Sequence, residues 1–80
     1  MPDDITSRVI RVIAETQRIP VESVAAESTF EELKIDSLDG INIVFGIENE
    51  FNINVPDEAA KSLRSVSDVA DGVRKLVAGG

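Results

Sequence analysis

The stretch Asp36-Ser37-Leu38-Asp39-Gly40-Ile41-Asn42-Ile43-Val44-Phe45 decides how this chain is read. Its apolar residues return every three or four positions, the period of a helix, and they do so on two sides. Ile43, Val44, Ile47 and Phe51 share one side, while Leu38, Ile41 and Phe45 share the other. At the edge of a small bundle only one such stripe enters the helix's own core. The second is either left open to a partner or covered by the long segment that precedes the helix. A helix is expected from Ser37 to Phe51, broken by Asn52-Ile53-Asn54-Val55-Pro56. Asp36 stands where an N-cap belongs and Asp39 follows three residues on, as in a capping box, so local structure alone explains both acids.

Outward from this helix the pattern stays helical. Behind Asp3 and Asp4, Ile5, Val9, Val12 and Ile13 line one face of a first helix expected at about 4 to 17, with Pro20 as its stop. Between Ile19 and Ile35 the period is lost, yet six large apolar residues recur, which marks an ordered loop. Within it Ser28 or Thr29 could cap one turn anchored by Phe30 and Leu33. A short third helix is expected from Asp57 to about Ser62, behind Pro56. The last starts at Ser65, where Ser65-x-x-Asp68 imitates a capping box, and repeats Val66, Val69, Val73, Leu76 and Val77. Gly79-Gly80 is expected to fray. The fold class is all-α: one domain over 1–80, a bundle of three longer helices and one short helix.

Composition removes most enzymes. The chain has 80 residues, no cysteine and no histidine. Ser37 therefore has no histidine base to make it a nucleophile, no catalytic constellation is recognisable, and zinc in nitrogen or sulfur coordination is out. No calcium-loop spacing appears either. A net charge of −7, from 15 acids against 8 bases, disfavours nucleic acid and anionic membranes and suits a basic protein surface. Neither a secretory signal nor a membrane-spanning run is present, so the expected setting is the reducing cytoplasm, as a monomer.

Phe30-Glu31-Glu32-Leu33-Lys34-Ile35-Asp36-Ser37-Leu38-Asp39, followed by Phe51 and Ile53-Asn54-Val55-Pro56-Asp57-Glu58, resembles the bacterial acyl carrier proteins over nearly the whole chain. The resemblance implies that Ser37, framed by Asp36 and Leu38, carries 4′-phosphopantetheine, added by a phosphopantetheinyl transferase that uses coenzyme A and magnesium. It implies a carrier that is no enzyme, bearing acyl thioesters to enzymes of fatty acid, lipid or polyketide synthesis that dock through basic patches. The docking residues expected are Asp36, Leu38, Asp39, Ile41, Phe45, Glu48 and Glu50, and the acyl chain would shelter among Ile43, Ile47, Val66 and Val69.

Several positions depart from the family pattern. Lys34 stands where glycine is usual and Ile35 where a small residue is. Asn42 and Asn49 stand where acids are usual, and Phe45 where methionine is common. Gly40 and Gly46 fall inside the helix. Together they suggest a specialised carrier with its own enzymes. Two alternatives remain: an unmodified helical interaction module, or a carrier for amino acids or other small acids. A peptidyl carrier would have Gly-Gly where this chain has Lys34-Ile35.

Overall fold

The computed structural model describes residues 4–79; Asp3 and Gly80 lie outside them. Its elements are α1 (Asp4–Gln17), a 3-10 turn (Val21–Ser23), α2 (Ser37–Phe51), α3 (Asp57–Lys61) and α4 (Val66–Gly79). Gly79 is still helical, against the expected fraying. Among the described residues there is no strand, only an isolated bridge between Thr29 and Ser65.

α1 forms the centre because its apolar face is wide. Val9, Val12, Ile13 and Ala14 are buried, and they meet Ile43 and Ile47 of α2 and Val66, Val69, Ala70 and Val73 of α4 in one core. Each fully buried isoleucine or valine contributes about 1.5–3 kcal/mol. Polar contacts fix the same two interfaces. The Thr6 hydroxyl accepts from Arg74 Nη2 of α4 at 2.9 Å. Arg8 Nε and Arg11 Nη2 both donate to Glu50 Oε2 of α2 at 2.8 Å, and the Arg8 guanidinium lies 4.4 Å from the centre of the Phe51 ring.

Gly46 permits the α1–α2 approach. A Cβ there would lie 2.9 Å from Val12 Cγ1, inside van der Waals contact with a core side chain. Gly40 and Gly72 are different: a Cβ at either would meet nothing within 4 Å. The two glycines of α2 therefore differ in role, since Gly46 is required by packing and Gly40 is not.

α1, the turn that precedes α2, and α2 itself end by one device, whereas α3 ends at Ser62 in right-handed backbone. Arg18, Lys34 and Asn52 have φ of 58°, 58° and 54°, the left-handed region, and each is followed by an isoleucine. Ile19 N–H donates to Ala14 O at 3.0 Å, Ile35 N–H to Phe30 O at 2.9 Å and Ile53 N–H to Glu48 O at 3.1 Å, the long backbone bond that closes a Schellman turn. All three isoleucines then pack on the core. α1 is thus stopped at Arg18, and Pro20, the expected breaker, instead precedes the 3-10 turn.

The loop before α2 is ordered, as its apolar content predicts. Val24 is buried and Phe30 and Leu33 pack on the core. Thr29 caps the single turn: its Oγ1 accepts from Glu32 N–H at 3.1 Å, and Glu32 Oε1 accepts from Thr29 N–H at 2.9 Å. Phe30 N–H donates to Arg64 O and Val66 N–H to Ser28 O, which ties the loop to the start of α4. That start has the predicted cap, with Ser65 Oγ accepting from Asp68 N–H at 3.2 Å.

Gly46→Ala should lower the denaturation midpoint, because overpacking costs about 1–3 kcal/mol and exceeds the gain in helix propensity. Gly40→Ala and Gly72→Ala should each stabilise by up to about 1 kcal/mol. Chemical denaturation of the three variants checks the order, and a stabilised Gly46→Ala would refute the close approach.

Glu50 gives a pH dependence. The hydrogen bond from Arg8, aided by the charges of Arg11 and Arg8 and opposed by desolvation, holds its carboxyl below the ordinary 4.5. A lowered folded value means that the unfolded chain binds more protons between the two values, so the contribution is present above 4.5 and is lost as pH falls through the folded value. Glu50→Gln should be less stable than the parent near neutral pH, and the gap should close below 4.5. Thermal melts across that range test this; a gap independent of pH contradicts it.

Candidate functional site

Asp36 builds the start of α2. It is extended, with φ −89° and ψ −175°, and its carboxylate accepts from Asp39 N–H at 2.9 Å, the predicted cap. Ser37 is then the first residue of the helix, exposed, and among the described residues its hydroxyl has no hydrogen-bond partner. The backbone N–H groups of the first turn that Asp36 leaves unused favour an anion at that end. A phosphodiester on Ser37 fits this position: the oxygen is reachable, uncommitted and at the positive end of a helix dipole.

Three lanes run along α2. On the α1 side lie Asp39, whose carboxylate faces the Gln17 amide at 3.4 Å, then Gly46 and Glu50. On a second side Ser37, Gly40, Val44, Ile47 and Glu48 line a half-open cleft of about 1280 Å³. Its other walls come from α3 and from Val69, Gly72, Val73 and Leu76 of α4. The third lane faces outward: Leu38 is 72% exposed, Ile41 51% and Phe45 58%. The preceding loop does not cover this stripe. The two sequence stripes are thus a core side and an open side; the cleft runs along the edge of the open one, where Ile41 and Phe45 line it together with Val44.

Ile43, Ile47 and Val69, expected around an acyl chain, all line the cleft floor and are at most 2% exposed. Val66, named with them, does not line it; it is fully buried in the core near the bridge to the loop. Glu48 and Glu50, expected to offer charge to partners, have internal engagements. Glu48 Oε2 accepts from Val55 N–H at 2.8 Å, which holds the α2–α3 connection, and Glu50 lies between two guanidiniums. Of the four expected acids, Asp36, Asp39 and Glu48 are without a cation among the described residues, and only Glu50 is ion-paired. Sequence reasoning missed Gly72 and the α3 wall. For Gly72 the only signal is a glycine inside a helical period; for α3 it is Ala59-Ala60 next to a proline-bounded turn.

The model of the phosphopantetheine attachment site family matches residues 7–73, a span that contains Ser37 and both principal walls of the cleft. The chain is 39% identical over 74 residues to an acyl carrier protein of Rickettsia bellii, covering 91% of this chain and 86% of the relative. An acyl carrier protein of Thermosynechococcus vestitus is 36% identical over 76 residues, 94% of each chain. The fold agrees as well: the crystal structure of an acyl carrier protein from Thermotoga maritima superposes with a TM-score of 0.80 at 33% identity, over 91% of this chain and 86% of that one. No described helix is long and apolar enough to cross a membrane. On the family match, the relatives and the shared fold together, the chain belongs to the acyl carrier proteins, whose prosthetic group is phosphopantetheine.

Proposed function

We propose that Ser37 is the attachment residue, its Oγ becoming the ester oxygen of the 4′-phosphopantetheine phosphodiester. The observation that carries this is the placement of an exposed, uncommitted hydroxyl at the first residue of α2, on the cleft side, inside the matched family span. The attached group supplies a thiol that carries acyl cargo as a thioester. This chain's residues do the rest. Asp36 fixes the helix start and Leu38 the apolar edge beside it, while the first-turn N–H groups attract the phosphate anion. Leu38, Ile41 and Phe45 form the surface on which acyl-handling enzymes and the transferase dock. Asp36 and Asp39 give that surface its negative charge for basic groups on the partner. The chain contributes no catalytic group, works as a monomer, and acts in the cytoplasm, as expected of a chain without cysteine.

The cleft is the second half of the reading. Ile43, Ile47 and Val69 at its floor offer a dry apolar surface, and Gly40, one turn beyond Ser37, leaves the mouth free of a side chain. α2 and α4 both lean on α1, so cargo can enter between them without breaking either packed interface. Leu63 and Ile35 close the region around the mouth from the loop and α3 sides.

Incubation with coenzyme A, magnesium and a phosphopantetheinyl transferase should add the mass of one phosphopantetheine to the wild type and nothing to Ser37→Ala. Modification of that variant would remove Ser37 from the role, and an unmodified wild type would favour the reading as an interaction module. For the cleft, methyl shifts of Ile43, Ile47 and Val69 should move when the loaded protein is acylated with a long chain. Changes restricted to the surroundings of Ser37 would place the cargo in solvent.

A further inference from the structure

The outward lane of α2 is uncharged along its whole length. Each of Leu38, Ile41, Asn42, Phe45 and Asn49 lies three or four positions from another of the set, so they share one broad face, and all five are exposed. The acids nearest this lane do not make up for its neutrality. Glu48 is turned to Val55 N–H and lines the cleft, and Glu50 sits on the α1 side between Arg8 and Arg11, where two cations face one anion. Free carboxylates on α2 and its cap are Asp36 and Asp39 at the Ser37 end and Glu48, which has no cation and flanks Ile41 and Phe45 on the cleft side, so the neutral edge of the lane is the one that carries Asn42 and Asn49. The rest of the net charge of −7 lies elsewhere, including the exposed Glu22, Glu27, Glu31 and Glu32 of the loop.

We infer that the partners of this carrier present a groove that is apolar and uncharged along the Asn42 and Asn49 edge of α2, with basic groups restricted to its mouth, where Ser37 enters, and to the cleft-side edge that meets Glu48. A partner with cations spread along the Asn42 and Asn49 edge would bury them with no carboxylate to meet them, an unpaired charge that costs more than it returns. A groove whose rim carries neutral hydrogen-bonding groups instead matches the side-chain amides of Asn42 and Asn49. Such an interface is held by apolar burial and depends weakly on salt, because steering is limited to the three carboxylates of Asp36, Asp39 and Glu48. This rests on the reading that Ser37 is loaded and that enzymes reach it across the α2 face.

The discriminating experiment restores charge to the lane. Asn42→Asp and Asn49→Asp are made singly, and loading by the phosphopantetheinyl transferase of the same organism, which must reach Ser37, is followed by intact mass from 50 to 500 mM NaCl. A carboxylate placed in an uncharged groove stays unpaired, so kcat/KM should fall about tenfold in either variant, the equivalent of one pair's desolvation. For the wild type kcat/KM should change by less than about fivefold across the salt range. Asp39→Asn, at the mouth, should lose severalfold and should lose part of what salt dependence there is. Circular dichroism of each variant verifies that the exposed substitution leaves the helices intact. Faster loading of Asn42→Asp or Asn49→Asp, or a wild-type rate that collapses with salt, overturns the uncharged groove. A wild type that gains no phosphopantetheine mass overturns instead the assignment of Ser37, and the inference with it.

Discussion

Everything in this fold leans on one helix. α1 packs against α2 and against α4, and the space that those two leave between them is the cleft below Ser37. The constraint is severe because the chain has no cysteine or histidine and a core of mostly valine and isoleucine, so neither disulfide nor zinc shares the load. Gly46 is where it becomes visible. With Val12 Cγ1 only 2.9 Å from the position of a Cβ, the α1–α2 contact is as close as backbone permits. Arg8 and Arg11 then clamp the far end of α2 through Glu50, so that α2 is held firmly on its α1 side along its length. On the cleft side it faces α3 and Val69, Gly72, Val73 and Leu76 of α4 across open space. A helix fixed on one side and lightly covered on the other can admit cargo without unfolding.

The same economy governs how the chain leaves its helices. Glycine is the residue that adopts left-handed backbone freely, yet Arg18, Lys34 and Asn52 occupy those positions, at about 1–2 kcal/mol for an ordinary side chain. The isoleucine that follows each one reaches the core and offsets this cost through burial and the backbone bond of the Schellman turn. Lys34-Ile35, which in sequence looks like a departure from the family pattern, is thus the third use of a device already present at Arg18-Ile19 and Asn52-Ile53. Its consequence is positional. Ile35 anchors the chain one residue before Asp36, and Asp36 then sets the start of α2 and the exposure of Ser37.

How much of this could be read in advance follows from the range of each interaction. Helix periods, the caps at Asp36 and Ser65 and the stop at Asn52 are local, within four residues, and the bounds of α1 and α2 agree with the structure. The openness of Leu38, Ile41 and Phe45 was undecided because it depends on where the loop goes, and the loop is placed by backbone bonds to Arg64 and Val66, more than thirty residues away. The pairing of Glu50 is hidden for the same reason. Nothing near it in sequence reveals that Arg8 and Arg11, about forty residues earlier, neutralise it. The position of Val66 is hidden differently: its periodicity is that of a core residue, and periodicity does not tell a core wall from a cleft wall.

Charge and apolar surface have separated on this molecule. The acids are many, but on α2 those beyond Asp39 serve internal structure, and the positions on the outward lane that could have carried further acids are amides. In an interface the apolar stripe gives residence and charge gives encounter. A carrier has to leave each enzyme as readily as it arrives, so a stripe of three exposed side chains without a charged frame suits short residence and selects by shape. Lys34 adds to this selectivity. Beside Asp36 and Asp39 it reduces the net charge at the mouth to about −1 at neutral pH, where side-chain charges count singly. On the docking face proposed above, an enzyme adapted to a strongly acidic carrier would gain little from its cations, and discrimination would rest on the rigid ring of Phe45 and the fit of its pocket.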